Sequence, residues 1–329
     1  MYPGFPGGQT LSQALRPYPQ WTGIPPFLGP PLGTTWYDSL QAKVTKRMSH
    51  GLSVDSAFSW QKELNLGVAS DTSYLTPAPN LINDVFNYQQ NKQISAFSRP
   101  FMLVITANYT TPGFAASSTS MKAVSWLVRD WTLGTLLRYQ SGQVIRTPPS
   151  SNGFFNQIRR TDNPATFGGA NTFFNRVAGQ PLFANGIDPN CKCFDPTTQL
   201  VLNPAAWTDA PAGTFGTSAP YYNDYRWQRQ PAENISLGRI FRVAKEGRIT
   251  LNVRAEFQNM FNRVFLANPL AVSASSSPFV VGAGAPNPLS PTVRVPGTQT
   301  LSSGYGFVNT FNGGAAQPRT GQIVARVTF

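Results

Sequence analysis

The chain has no run of about 18 consecutive apolar residues, so no part of it can cross a membrane as a helix. Charge is scarce: Asp, Glu, Lys and Arg make up 12% of the 329 residues, about half the share of an average soluble protein. Cysteine and histidine are almost missing. The two cysteines sit together as Cys191-Lys192-Cys193, and the one histidine, His50, lies far from them in sequence. Structural zinc usually takes a second ligand pair, so no metal is expected, and a strained disulfide in an exported loop or two incidental thiols is the reading of this spacing. The motifs of phosphate-binding loops, zinc hydrolases (H-E-x-x-H) and serine hydrolases (G-x-S-x-G) are also missing. The chain therefore reads as a non-enzyme without a cofactor. Its opening, MYPGFPGGQTLSQALRPYPQ, lacks the basic, apolar and small-residue parts of a signal peptide. An exported protein of this sequence is expected to begin upstream.

Aromatics are plentiful at 12%, and 26 basic residues against 14 acidic ones leave a net charge of +12. That charge suits anionic partners such as lipopolysaccharide, nucleic acid or acidic ligands. The mean hydropathy of −0.21 does not oppose membrane insertion, because a barrel strand needs only about ten alternating residues. Such alternation is present. In RITLNVRAEFQNMFN (248–262), Ile249, Leu251, Val253, Ala255 and Phe257 alternate with Thr250, Asn252, Arg254, Glu256 and Gln258. A period of two sends one set to each face of a strand. One face is oily, the other polar; the oily face meets a core in a soluble protein and lipid in a barrel, where the polar face lines a wet interior.

The pattern recurs in 36–48, 52–61, 101–110, 131–140, 235–243 and 322–329, seven strands in all. Residues 36–48 and 52–61 form a hairpin around Ser49-His50-Gly51. In 235–243 the pattern is weaker, since Arg239 shares the face of Ile235, Leu237 and Phe241, and it is expected to snorkel to an interface. The connections are 49–51, 62–100, 111–130, 141–234, 244–247 and 259–321, shorter and longer in turn, although 111–130 is long for a turn. Outer-membrane barrels join their strands by short periplasmic turns and longer extracellular loops. The expectation is thus an all-β, antiparallel transmembrane β-barrel segment of about seven or eight strands in the bacterial outer membrane, with long extracellular loops at 62–100, 141–234 and 259–321 and Phe329 in the periplasm. This orientation puts Trp36, Trp60, Phe101, Tyr139 and Phe257 at the outer interface and Tyr109, Trp131, Phe241 and Phe329 at the inner one, as two aromatic girdles. The odd strand count and the Pro/Gly-rich start make 1–35 a loop remnant of a truncated N-terminus and 36–329 the C-terminal portion of a larger barrel, whose isolated strands leave open edges.

Three stretches carry a family resemblance. WYDSLQAKVTKRMSHGLSVDSAFSWQ (36–61) resembles the recurrent hairpin of TonB-dependent outer-membrane receptors of the Oar-like kind. NPAAWTDAPAGTFG (203–216) is similar to that group's "NPAAF…GTFG" loop, and in VRAEFQNMFN (253–262) Arg254, Glu256, Asn259, Phe261 and Asn262 match its strand end. Ile323, Ala325, Val327 and the terminal Phe329 look like the signal read by the barrel-assembly machinery. The resemblance implies a plugged barrel of the 22-stranded transporter kind, importing a bulky ligand with energy from the inner membrane. Its plug and its contact with the energy-coupling TonB protein would lie in an N-terminal region that this chain lacks. Family members also serve adhesion or signalling.

Lys43, Asp55, Arg138, Asn252, Arg254 and Glu256 stand on polar faces and are the candidates for facing a barrel lumen; Arg254 and Glu256, two apart, suit a lumen ion pair or a plug contact. His50 reads as a solvated turn residue with no nearby Cys or Ser to activate. The glycines of VVGAGAPNP, around Gly282 and Gly284, read as a flexible loop, since prolines follow where a phosphate-binding helix would start. YYNDYRWQR (221–229) could stack bases or sugars between cations; an outer loop meeting lipopolysaccharide phosphates is the plainer reading, and nucleic acid is not an expected partner. The acceptor patterns at Asn108 and Asn234 fall on strands and are discounted. Two other classes remain: a non-transporting barrel or adhesin that binds through its long loops, and a soluble all-β module for polyanions.

Overall fold

A computed structural model describes residues 34–66, 89, 92–115, 117–150, 172–191, 193–211, 214–242, 249–282, 285–287, 290–294, 299–310 and 318–329. The strands among them are β1 (Thr34–Ser49), β2 (Leu52–Leu66), β3 (Lys92–Ile94), β4 (Phe101–Thr110), β5 (Trp131–Gln140), β6 (Val144–Arg146), β7 (Asn175–Arg176), β8 (Trp207–Thr208), β9 (Tyr221–Arg226), β10 (Ala232–Arg242), β11 (Thr250–Gln258), β12 (Phe279–Gly282), β13 (Pro286–Asn287), β14 (Ser290–Arg294), β15 (Gln299–Ser303) and β16 (Thr320–Thr328). Seven of them form one antiparallel meander in the order β1-β2-β4-β5-β10-β11-β16, with β3 added beside the end of β2. These seven are the alternating segments of the sequence. Val243 and residues 244–247, and the first 33 residues of the proposed loop remnant, lie outside the described residues.

Register joins the single-strand patterns into one surface. Leu40 pairs with Trp60, Trp60 with Phe101, Leu103 with Tyr139, Leu237 with Leu133 and with Ala255, and Val253 with Ala325. Every one of these pairs lies on the apolar face, because a slip of one residue would have turned the rows over. No apolar side chain of β1, β4, β5, β10, β11 or β16 is buried, and Leu40, Val44, Trp60, Phe101 and Ile323 are exposed. Among the described residues no second sheet covers this face. The sheet is also open: β1 and β16 stand at its two ends without pairing to each other, as expected for part of a larger cylinder.

The first hairpin closes on two residues of positive φ, His50 at 51° and Gly51 at 78°, the turn whose twist matches that of the flanking strands. A Cβ on Gly51 would stand 2.1 Å from the carbonyl oxygen of Thr110, so the glycine also lets β4 approach. Ser49 Oγ lies 2.9 Å from His50 Nδ1 in an exposed pair. The histidine therefore does have a neighbouring serine, contrary to the expectation, although both face solvent.

Residues 111–130 hold a helix that the strand pattern did not reveal, α1 (Thr119–Val128), with Ser118 Oγ accepting from the backbone of Met121. Its last carbonyls, which no helix can satisfy internally, are taken by the sheet. Thr111 Oγ1 donates to Val128 O at 2.6 Å, Trp131 Nε1 to Leu127 O at 2.8 Å, and the Arg239 guanidinium to Trp126 O. A cation at a helix C-terminus also suits the helix dipole. Arg239, expected to snorkel to an interface, is 8% exposed, with its guanidinium carbon 4.4 Å from the ring centroid of Trp126 and 5.0 Å from that of Phe241. The helix folds back over the apolar face and supplies a ring and a carbonyl to the cation, whose buried Nε has no hydrogen-bond partner.

The described parts of the three long connections pack together beyond the other end of the strands. Ile145, Phe174, Val201, Leu202, Trp207 and Tyr225 from 141–234 surround Ala274, Tyr305 and Val308 from 259–321. A second cluster joins Ala96 of the first connection to Val144, Phe173 and Tyr221. The Tyr225 and Tyr305 hydroxyls meet at 2.9 Å inside this core, and burial pushes both phenols above their usual range. β2 runs on to Leu66 because β3 pairs with its extension. Leu40 stands across from Trp60, and Trp36 pairs with Leu64 nearer the strand ends, its ring covered by Lys92 Nζ at 4.1 Å from the centroid.

Candidate functional site

Polar side chains of all seven strands of the meander share the face opposite the apolar rows. On β1 and β2, Lys43 pairs with Ala57 and Thr45 with Asp55, and Thr45 Oγ1 donates to Asp55 Oδ1 at 2.8 Å. Arg138 lies between Val104 of β4 and Ala232 of β10. Asn252 lies between Ile240 and Arg326, its buried Oδ1 without a hydrogen-bond partner. Arg254 Nε meets Glu256 Oε1 at 2.5 Å, the ion pair read from their spacing, and Gln322 Nε2 donates to the other carboxylate oxygen at 2.5 Å.

One part of this surface is a groove of about 410 Å³ lined by Asn108, Asn234, Ser236, Glu256, Gln258 and Gln322, among others. Of the six sequence candidates only Glu256 lies in it. Sequence reasoning missed the uncharged members, whose only signal was their place in the polar rows. A small residue in its lining helps create the space: a Cβ on Gly134 would lie 2.6 Å from Ser236 Oγ. The groove offers amide and hydroxyl groups with one carboxylate, a surface for a polar ligand held by hydrogen bonds. Among the described residues, no three or more His, Cys, Asp or Glu side chains gather as for a metal ion.

At the outer end of the strands the resembling motifs become structural devices. Asn203 accepts from the backbone of Ala205 at 3.0 Å, capping the 3-10 helix Pro204–Ala206 and delivering Trp207 to the loop core. Asn259 and Asn262 hold φ of 48° and 49°, a region asparagine tolerates through local hydrogen bonds. Asn259 Oδ1 accepts from Arg263 N at 2.8 Å. In 221–229 the aromatics point inward: Tyr221, Tyr225 and Trp227 are buried, so they form core and not a base-stacking platform. Arg176 pairs with Asp224 at 2.6 Å, which holds that carboxyl below its usual range chiefly through this hydrogen bond. Cys191 and Cys193 are joined as a disulfide.

The last strand lies along β11, with Ile323, Ala325 and Val327 across from Ala255, Val253 and Leu251. Phe329 follows it and is 96% exposed. Continuous oily rows that no second sheet covers among the described residues, polar rows behind and an unclosed sheet make hydrocarbon the solvent of one face. A family model described as outer membrane beta barrel domain matches residues 3–288. The chain belongs to that family. This outer-membrane barrel domain is thus placed in the bacterial outer membrane, and the soluble-module reading falls. No curated protein and no solved structure matches the chain.

Proposed function

We propose that the barrel domain is the C-terminal part of a TonB-dependent receptor of the Oar-like kind, importing a bulky ligand past its polar face. The observation that carries this reading is the groove among Asn108, Asn234, Ser236 and Gln322, on the face that a closed barrel turns to its lumen. The matching hairpin, loop and strand-end motifs support the choice of family. Neutral hydrogen-bonding groups suit a carrier, since they hold a polar ligand without trapping it. Lys43, Asp55, Arg138, Asn252, Arg254 and Glu256 would line the same lumen. The barrel-assembly machinery would read Ile323, Ala325, Val327 and Phe329.

An adhesin is the second reading, favoured by the loop body's own hydrophobic core, which makes a preorganised platform for a partner. Cells making the protein from its full reading frame separate the two. A receptor cross-links to the energy-coupling protein, and Gln322→Arg in the groove impairs growth on the imported nutrient. An adhesin gives no such cross-link, and its deletion impairs attachment while leaving uptake intact.

A further inference from the structure

One recess combines apolar walls with cations that no carboxylate answers. It has a volume of about 720 Å³ and lies where the apolar face of the sheet meets the loop body. Trp60, Phe101, Leu103 and Tyr139 of the apolar rows form its floor. The Trp60 and Phe101 rings stack at 6.4 Å, and both are more than half exposed, at 54% and 52%. Arg226, Arg229 and Arg263 line its upper side.

The arginines differ in what cancels their charge. Arg263 Nε meets both oxygens of Glu233, at 3.0 and 2.8 Å, so that pair is neutral. Arg226 gives its N–H groups to neutral acceptors only: Asn223 O and Oδ1, Ser98 O and Oγ, and Gly142 O. Burial first, and then neighbouring Arg99, push its pKa down to about 10, so it remains a cation at neutral pH. Arg229 is exposed and forms no ion pair with a carboxylate among the described residues. Two uncancelled charges therefore stand above an apolar slot that opens on hydrocarbon.

Water could solvate Arg229, but it would leave the floor wet; an acidic peptide would do the same. An anionic amphiphile satisfies both parts at once. We propose that this recess is a binding site for the phosphorylated glycolipid of the outer leaflet, with a phosphate on Arg229 in the field of Arg226 and acyl chains along Trp60, Phe101 and Leu103. The fixed Arg226 acts as a positioning charge, since its N–H groups are already engaged, and Arg229 supplies the free hydrogen-bond donors. The inference needs the long connections to lie outside the cell, and it does not depend on transport.

The test uses the full-length protein extracted from outer membranes in detergent, titrated with bisphosphoryl lipid A, its dephosphorylated form, phosphatidylglycerol and inorganic phosphate. Bisphosphoryl lipid A is expected to bind best, and removing its phosphates should weaken binding by about tenfold or more. Arg229→Glu should produce a similar loss with an unchanged β-sheet spectrum, whereas Lys122→Glu on α1 should change nothing. Leu103→Gln should weaken the lipid but not inorganic phosphate. Unaltered binding by Arg229→Glu, equal binding of dephosphorylated lipid A, or a preference for phosphatidylglycerol or free phosphate overturns the proposal. Should Arg229→Glu disturb folding, the phosphorylated and dephosphorylated lipids compared on the unaltered protein decide alone.

Discussion

The sheet and the loop body use the same kinds of residue in opposite ways. In the sheet Trp60, Phe101 and Leu40 are exposed, while in the loop body Trp207, Phe173 and Leu202 are buried. The sheet's oily row needs no protein partner, because hydrocarbon solvates it and backbone pairing satisfies the polar main chain between neighbouring strands, leaving only the outer edges of β1 and β16 open. The loop body faces water and must bury its own apolar surface, at about 25 cal/mol for each Å² removed. Each region would fail in the other's solvent. Burial alone is therefore a poor guide to importance here, and the exposed rows of the sheet are as constrained as a core.

Trp207→Ala should give the largest effect, a loss of about 3–5 kcal/mol from the loop body. Proteolysis of intact cells should cut residues 141–234 more readily, while the sheet still inserts; lost insertion would mean that the two regions fold as one unit. Val253→Arg comes next, costing about 2–4 kcal/mol on the lipid side near the midplane and reducing the folded fraction on heat-modifiable gels. Its polar-face neighbour Asn252→Arg should be tolerated much better, and equal damage would sink the assignment of faces.

Arg239→Ala should cost about 1–2 kcal/mol by removing the cation over Trp126 and the bond to its carbonyl. Hydrogen exchange should rise in α1 and stay unchanged in the loop body. The smallest effect concerns Asp224. Its pKa is depressed when folded, so its pairing with Arg176 stabilises above the unfolded carboxylate pKa and is lost as pH falls through the folded value. Because the Asp224 side chain is 60% exposed, the contribution is under about 1 kcal/mol. Asp224→Asn should flatten the acid limb of loop-body stability by that amount, with no change in the sheet.

How much was legible differs by region. All seven long strands could be read, because alternation with a period of two survives even when no residue is buried. β10 was the hardest, since Arg239 interrupts its oily row and the explanation lies in a helix from another connection. α1 itself was hidden: MKAVSWLV carries a mixture of apolar residues, and a search for strands passes over it. The short strands of the loops, such as β7 and β8 with two residues each, have no period to detect. Alternation also stopped short of the full hairpin, since the strand read over 52–61 runs on to Leu66.

The amino-acid order by itself determined the strands, their two faces and the alternation of short and long connections, because those depend on neighbours along one chain. Only the tertiary structure decided that the described parts of the long connections pack into two hydrophobic clusters, that Arg239 caps α1, and that Asn108, Asn234, Ser236 and Gln322 line one groove. These arrangements join residues far apart in sequence, as Tyr225 and Tyr305 do at a separation of 80. No local period records such a meeting; it follows from which surfaces fit together once the strands have placed their ends.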